Sequence, residues 1–255
     1  QHARRSDGLD DHPRSAAFFH DAAVGKGRLG AAFDRVDEAI VRERFQLAQE
    51  PFDALPAPSA LREGLCQADA AIVTLGDCID AETIYAATRL RIIANYAVGY
   101  NNIDLAAARA RGLVVTNTPD VLTDATADLT WALLLAVARR VVEGDILVRS
   151  GGWTGWSPTQ LLGAEISGKT LGIIGMGRIG QAVARRAVGF RMPVRYYTRQ
   201  PQTGRSFPCE WEYRSLQDLL GESDVVTIHA PLTPATHHLI GARELAWMRP
   251  TAFLI

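Results

Sequence analysis

A chain of 255 residues, 47% apolar and 22% charged, has the make-up of a soluble globular protein long enough for two compact domains. Its formal net charge of −1 offers no cationic surface to nucleic acid or acidic lipid, so neither is expected as a partner. The longest apolar stretch, at residues 131–137, is too short to cross a bilayer, and no charged-then-apolar leader opens the chain. A cytoplasmic protein without membrane contact is expected. Cys66, Cys78 and Cys209 lack CxxC spacing, which argues against a disulfide framework or a zinc site, and no metal is expected.

Residues 1–33 mix Arg, His, Gly and Ala without sustained period and read as an atypical head, expected to be disordered or weakly structured. Over 34–45, Val36, Ile40, Val41 and Phe45 share one helical face. A Pro-punctuated loop follows, then a short helix and a buried strand from Ala70 to Leu75. "LRIIANYAVG" and "GLVVTNTP" are two further strand-and-turn units, which makes residues 34–118 part of a parallel, helix-covered sheet. Thr123 or Asp124 is suited to cap one long helix that runs through "ATADLTWALLLAVARRVVEGDILVRSG", residues 125–151. Its first half is apolar on every side, so it is expected to be buried all round or to lie in a subunit interface. Trp153 and Trp156 read as packing anchors in a Gly-rich linker. A second strand–helix series begins at Thr170, and residues 119–255 form the second domain. The fold class is α/β, with a Rossmann-like doubly wound parallel sheet in that domain.

"LGIIGMGRIG", residues 171–180, carries Gly-x-Gly-x-x-Gly between a strand and a helix, with a second strand at 194–198. In that context the motif is a dinucleotide-binding turn. Gly175 permits the tight turn, Gly177 lets a pyrophosphate approach the backbone, and Gly180 lets the helix pack close. The helix N-terminus presents free N–H groups and a partial positive charge to the phosphates, and Arg178 either covers them or points to water. NAD-binding versions place an acid at the end of the second strand for the ribose 2′-hydroxyl. Here "YYTRQP" puts Thr198 and Arg199 there, and a hydroxyl with a guanidinium binds a 2′-phosphate through charge-assisted bonds. NADP(H) is therefore preferred over NAD(H).

"NYAVGYNNIDLAAARARGLVVTNTPDVLTDATADLTWALLL", "GKTLGIIGMGRIGQAVARRA" and "HAPLTPATHHLI" resemble the D-isomer-specific 2-hydroxyacid dehydrogenases, and within them the glyoxylate and hydroxypyruvate reductases. The resemblance runs from about Ala68 to Ile255. It implies a flavodoxin-like substrate domain before the cofactor domain, a small 2-keto or 2-hydroxy acid as substrate, and a homodimer formed through the cofactor domain. It implies that Met176, Gly177, Arg178 and Ile179 neighbour the pyrophosphate, and that Thr198, Arg199 and Gln200 form the 2′-phosphate site. His229 and Pro231 line the cofactor, with no proton-transfer role for His229. The backbone of Ala97, Val98 and Gly99 holds the substrate carboxylate, a role suited to a glycine turn with free amides. Asn101 stands where relatives usually have Asp. The family's catalytic Arg, Glu and His lie beyond "TAFLI", so no catalytic residue is assigned in this chain, and His237 and His238 match no catalytic position. Both domains are expected to be incomplete, with the central strand of the first poorly served by "SAAFFHDAAV" and the last strands of the second missing. Two other readings stay open: a catalytically inactive dinucleotide-binding and dimerising fragment, and a phosphoglycerate or D-lactate type of dehydrogenase.

Overall fold

The computed structural model describes residues 17–19, 46–49, 56–199 and 211–255. The chain divides into two units, Gln1–Pro119 and Asp120–Ile255. The helix expected over 34–45 and most of the 1–33 head lie outside the described residues.

The first unit is a five-stranded parallel sheet of β1 (Ala17–Phe19), β2 (Leu47–Gln49), β3 (Ala70–Val73), β4 (Ile92–Asn95) and β5 (Val114–Thr116). The strand order is β2-β1-β3-β4-β5, the flavodoxin-like order, whose switch point lies between β1 and β3. The expectation of a missing central strand is corrected here: Ala17–Phe19 pairs in parallel with both Leu47–Gln49 and Ala70–Ile72. Three residues of "AFF" suffice because a parallel strand held on both sides depends on backbone bonds more than on a long apolar run.

Helices α1 (Pro58–Gln67), α2 (Ala81–Ala86) and α3 (Leu105–Arg111) cover this sheet. Pro58 starts α1, where its missing N–H costs nothing. The carboxylates of Asp80 and Asp104 accept from Thr83 N at 2.8 Å and Ala107 N at 2.9 Å, capping α2 and α3. Gly112, at φ 69°, ends α3 in the left-handed conformation that favours glycine. The Arg111 guanidinium donates to the carbonyls of Ile84, Ala87 and Leu90, satisfying the C-terminal end of α2. Leu61, Leu65, Val73, Ile84 and Ile93 lie in the core between helices and sheet.

The second unit contains β6 (Leu171–Ile174), β7 (Val194–Tyr197), β8 (Trp211–Tyr213), β9 (Val225–Ile228) and β10 (Phe253–Leu254), all parallel, in the order β10-β9-β6-β7-β8. Counted from β6, this is the first five strands of the Rossmann order, with the switch point between β6 and β9. All four residues of β6 are buried, as a central strand covered on both faces requires.

The long helix is in fact two, α4 (Thr123–Ala138) and α5 (Val141–Arg149). Arg140 breaks it with φ 54°, a left-handed conformation that no α-helix continues through. Thr123 is the first helical residue rather than the cap, which is Leu122 without a side-chain bond. Only one face of α4 is buried: Ala127, Trp131, Leu134 and Ala138 pack into the core, where Trp131 stacks on Phe190 at 4.7 Å and donates to Val183 O at 3.1 Å. The opposite face is exposed at Leu129 (58%), Leu133 (48%) and Val137 (54%). Trp153 and Trp156 are also exposed, so among the described residues they are not buried packing anchors. Among the described residues, no helix is long and apolar enough to cross a membrane.

Candidate functional site

The turn between β6 and α6 (Arg178–Ala187) is shaped by three glycines with three different constraints. Gly175 sits at φ 100°, and a Cβ there would lie 2.6 Å from the carbonyl carbon of His229. Gly180 faces Gly175 O, where a Cβ would stand 2.2 Å away. A Cβ on Gly177 would meet nothing within 4 Å. Two glycines are thus dictated by close packing, and the third opens the loop to outside. Gly177 is the N-cap of α6 and supplies no capping side chain, so the first-turn N–H groups at Arg178, Ile179 and Gly180 are left for an anion. That arrangement fits the pyrophosphate of a dinucleotide. Met176 is buried beneath the turn and Ile179 packs against the core. They support the loop from below.

The Arg178 guanidinium pairs with Asp120, Nε to Oδ1 at 2.8 Å. Both side chains are well exposed, and such a pair contributes only about 0.2–1 kcal/mol, so a bound phosphate competes for it readily. Asp120 holds φ 74°, a left-handed conformation uncommon for residues other than glycine. It was not singled out from the sequence, because only the fold brings it beside Arg178.

Thr198 and Arg199 follow β7 directly, beside the glycine turn through the β6–β7 pairing of Ile174 with Tyr197. Thr198 is half-buried and Arg199 exposed. Gln200 lies outside the described residues. His229 follows β9, with its N–H donating to Ile174 O at 2.7 Å and its Nε2 2.9 Å from Thr227 Oγ1. Burial holds its imidazole below the ordinary histidine value, favouring the neutral form. Pro231 is exposed two residues on. His237 and His238 are exposed and stack on each other at 3.8 Å.

In the first unit, Ala97, Val98 and Gly99 form the turn after β4. Ala97 is buried and Val98 and Gly99 half-buried. A Cβ on Gly99 would stand 3.3 Å from Asn101 Oδ1 and 3.7 Å from Leu75 Cδ2, so the turn has little spare room. Beneath it lies a polar cluster that the sequence reading passed over: Thr74, Asp77, Asn95 and Asn102, all buried. The signal available was Asn95 at the end of the apolar run "RIIAN", since an amide there is buried only if its bonds are met. Among the described residues, no group of three or more His, Cys, Asp or Glu is placed to hold a metal ion.

Comparison with known proteins agrees with this architecture. Residues 131–255 match the NAD binding domain of the D-isomer specific 2-hydroxyacid dehydrogenases. The chain is 49% identical over 220 residues to a glyoxylate reductase of Thermococcus gammatolerans, covering 85% of this chain and 66% of that protein. It therefore spans just under two thirds of that relative's length. The TT0316 protein of Thermus thermophilus is 46% identical in structural alignment, with a TM-score of 0.78 and coverage of 94% of this chain and 72% of that one. A 2-hydroxyacid dehydrogenase of Ketogulonicigenium vulgare is 30% identical, with a TM-score of 0.70 and coverage of 95% and 71%. With a glycine turn opened for a nucleotide, two parallel sheets of the matching orders and this degree of likeness, the chain belongs to the D-isomer specific 2-hydroxyacid dehydrogenase family.

Proposed function

We propose that the protein reduces glyoxylate and hydroxypyruvate to their 2-hydroxy acids, with NADP(H) preferred over NAD(H). The likeness to the Thermococcus gammatolerans glyoxylate reductase carries the substrate assignment. The Thr198–Arg199 pair after β7, where an acid would select NAD, supports the cofactor assignment.

The described residues contribute binding and orientation. The open face at Gly177 and the first turn of α6 receive the pyrophosphate, and Arg178 leaves Asp120 to cover it. Thr198 and Arg199, with Gln200 beside them in sequence, take the 2′-phosphate, and His229 and Pro231 line the dinucleotide. The Ala97–Gly99 turn takes the substrate carboxylate on backbone N–H groups. When bound, the dinucleotide supplies the hydride for the 2-keto carbon. His229, neutral and engaged with Thr227, lines this site and donates no proton.

We also infer a homodimer formed through α4 and α5. Leu129, Leu133 and Val137 on α4 and Val142 and Ile146 on α5 are each exposed, and apolar side chains left in water in such number on neighbouring helices support a protein interface.

The test is NADPH oxidation by the whole protein with glyoxylate, hydroxypyruvate, pyruvate and 3-phosphohydroxypyruvate as competing substrates. Preferred turnover of the first two supports the assignment. Preference for pyruvate or for the phosphorylated acid replaces it with a lactate or phosphoglycerate type of dehydrogenase, and NADPH binding without turnover of any of them leaves a binding protein.

A further inference from the structure

The Ala97–Gly99 turn has an unusual supporting pattern: three consecutive carbonyls are each held by a different donor. Ala97 O accepts from Thr118 N at 2.9 Å. Val98 O accepts from Asn117 Nδ2 at 2.9 Å. Gly99 O accepts from Asn95 Nδ2 at 2.8 Å. In a planar trans peptide, the C=O and the following N–H point in opposite directions. Holding the carbonyls of 97, 98 and 99 inward therefore aims the N–H groups of Val98, Gly99 and Tyr100 outward. Among the described residues, none of these three N–H groups is given to an acceptor. Three successive free amides on one turn make an anion-binding concavity.

Asn95 does not act alone. Its carboxamide and that of Asn102 face each other reciprocally, Asn95 Nδ2 to Asn102 Oδ1 at 3.3 Å and Asn102 Nδ2 to Asn95 Oδ1 at 3.2 Å. Asn102 Nδ2 is further braced on Thr74 O at 3.0 Å and Asp77 O at 3.2 Å. Asn95 is 1% exposed and Asn102 7%, so each donor and acceptor must be met inside the protein. Carboxamides at both positions meet them, because each residue donates and accepts at once, which an ionised carboxylate, an acceptor alone, cannot do. The ionisable group in this cluster is Asp77, whose carboxylate accepts from Thr74 N at 2.7 Å and Thr74 Oγ1 at 3.1 Å and faces the 74–77 turn.

We propose that Asn95, braced by Asn102, and Asn117 are positioning residues that aim the N–H groups of Val98, Gly99 and Tyr100 at the substrate carboxylate. This rests on the assignment of the turn as the carboxylate site and extends that site to Tyr100 N. The asparagines touch no substrate; they act through the peptide planes.

The test uses the full chain, labelled with 15N, and oxamate as a monoanionic carboxylate probe. In the wild type, oxamate shifts the amide resonances of Val98, Gly99 and Tyr100, and its affinity at pH 8 and at pH 5 is the reference against which the variant is read at the same pH. Asn95→Asp at pH 8 sets a carboxylate against Gly99 O, and oxamate binds at least about tenfold more weakly, the worth of one hydrogen bond. Towards pH 5 the buried carboxyl protonates, since burial raises its pKa. Its O–H then donates to Gly99 O and affinity recovers. A merely structural role predicts no such recovery. NADPH affinity is unchanged throughout. If oxamate leaves the three wild-type amides unmoved, the carboxylate assignment falls, and this proposal with it. If oxamate moves them but Asn95→Asp binds like the wild type at pH 8, or fails to recover at pH 5, the positioning role alone is overturned. Should Asn95→Asp not fold, hydrogen exchange of the wild-type Asn95 carboxamide decides: strong protection, increased by oxamate, supports the role, and free exchange overturns it.

Discussion

Gly180 stands against the carbonyl of Gly175, so close that a Cβ on Gly180 would lie 2.2 Å from that oxygen, whereas a Cβ on Gly177 would meet no atom within 4 Å. Two glycines of one motif thus serve different ends, and single methyl groups separate them. Gly180→Ala forces α6 away from the turn and destabilises the fold by about 1–3 kcal/mol, the usual cost of overpacking. Gly177→Ala, at φ −78°, keeps stability within about 0.5 kcal/mol but places a methyl where the pyrophosphate approaches, and NADPH binding weakens about tenfold or more. Thermal melts and calorimetric titration of the two variants check both halves of the contrast.

Arg199 follows β7 with its guanidinium exposed. Arg199→Ala removes a charge-assisted bond to the 2′-phosphate and weakens NADPH binding by about 1.5–3 kcal/mol, while NADH affinity barely changes. Equal losses for both cofactors in calorimetry would show that Arg199 does not distinguish them.

The His229 imidazole is held below its ordinary value by burial. The folded state therefore binds this proton less readily than the unfolded chain. The sign follows: above about pH 6.5 neither state is protonated there and nothing is lost, whereas below it the unfolded state gains a proton and stability falls until the folded pKa is passed. Thermal melts of the wild type decline over that acid window. In His229→Gln, which keeps a polar group near Thr227 Oγ1 but does not titrate, this part of the decline disappears.

Leu133 is 48% exposed on the outer face of α4. Leu133→Glu leaves the helix intact, because the side chain packs into no core, but sets a charge in the inferred interface. Light scattering is expected to show a dimer for the wild type and a monomer for the variant, with unchanged circular dichroism. A wild type that is monomeric at micromolar concentration refutes the interface.

The β-α-β rhythm and the glycine turn were legible in the sequence because both are local. Strand 171–174 is buried on both faces and so is apolar at every position, and the three glycines announce a turn within six residues. The same kind of signal predicts one long helix, because apolar content resumes directly after Arg139 and Arg140; the break lies in one backbone angle at Arg140, which residue types do not reveal. The expected all-round burial of α4 fails for a related reason. An apolar side chain is compatible with the core and with an exposed face alike, and only the packing of Trp131 and Leu134 against α6 and β6 separates the buried face from Leu129 and Leu133.

By itself, the sequence determined the α/β class, the dinucleotide turn and the likeness to a family, since each is carried by neighbours along the chain whose spacing sets local geometry. The tertiary structure alone decided that Ala17–Phe19 completes the first sheet, that Asp120 meets Arg178, and that Asn95, Asn102 and Asn117 converge under the Ala97–Gly99 turn. Those relationships join residues up to about sixty positions apart, and a hydrogen bond depends on where folding places its two ends, which no local pattern encodes.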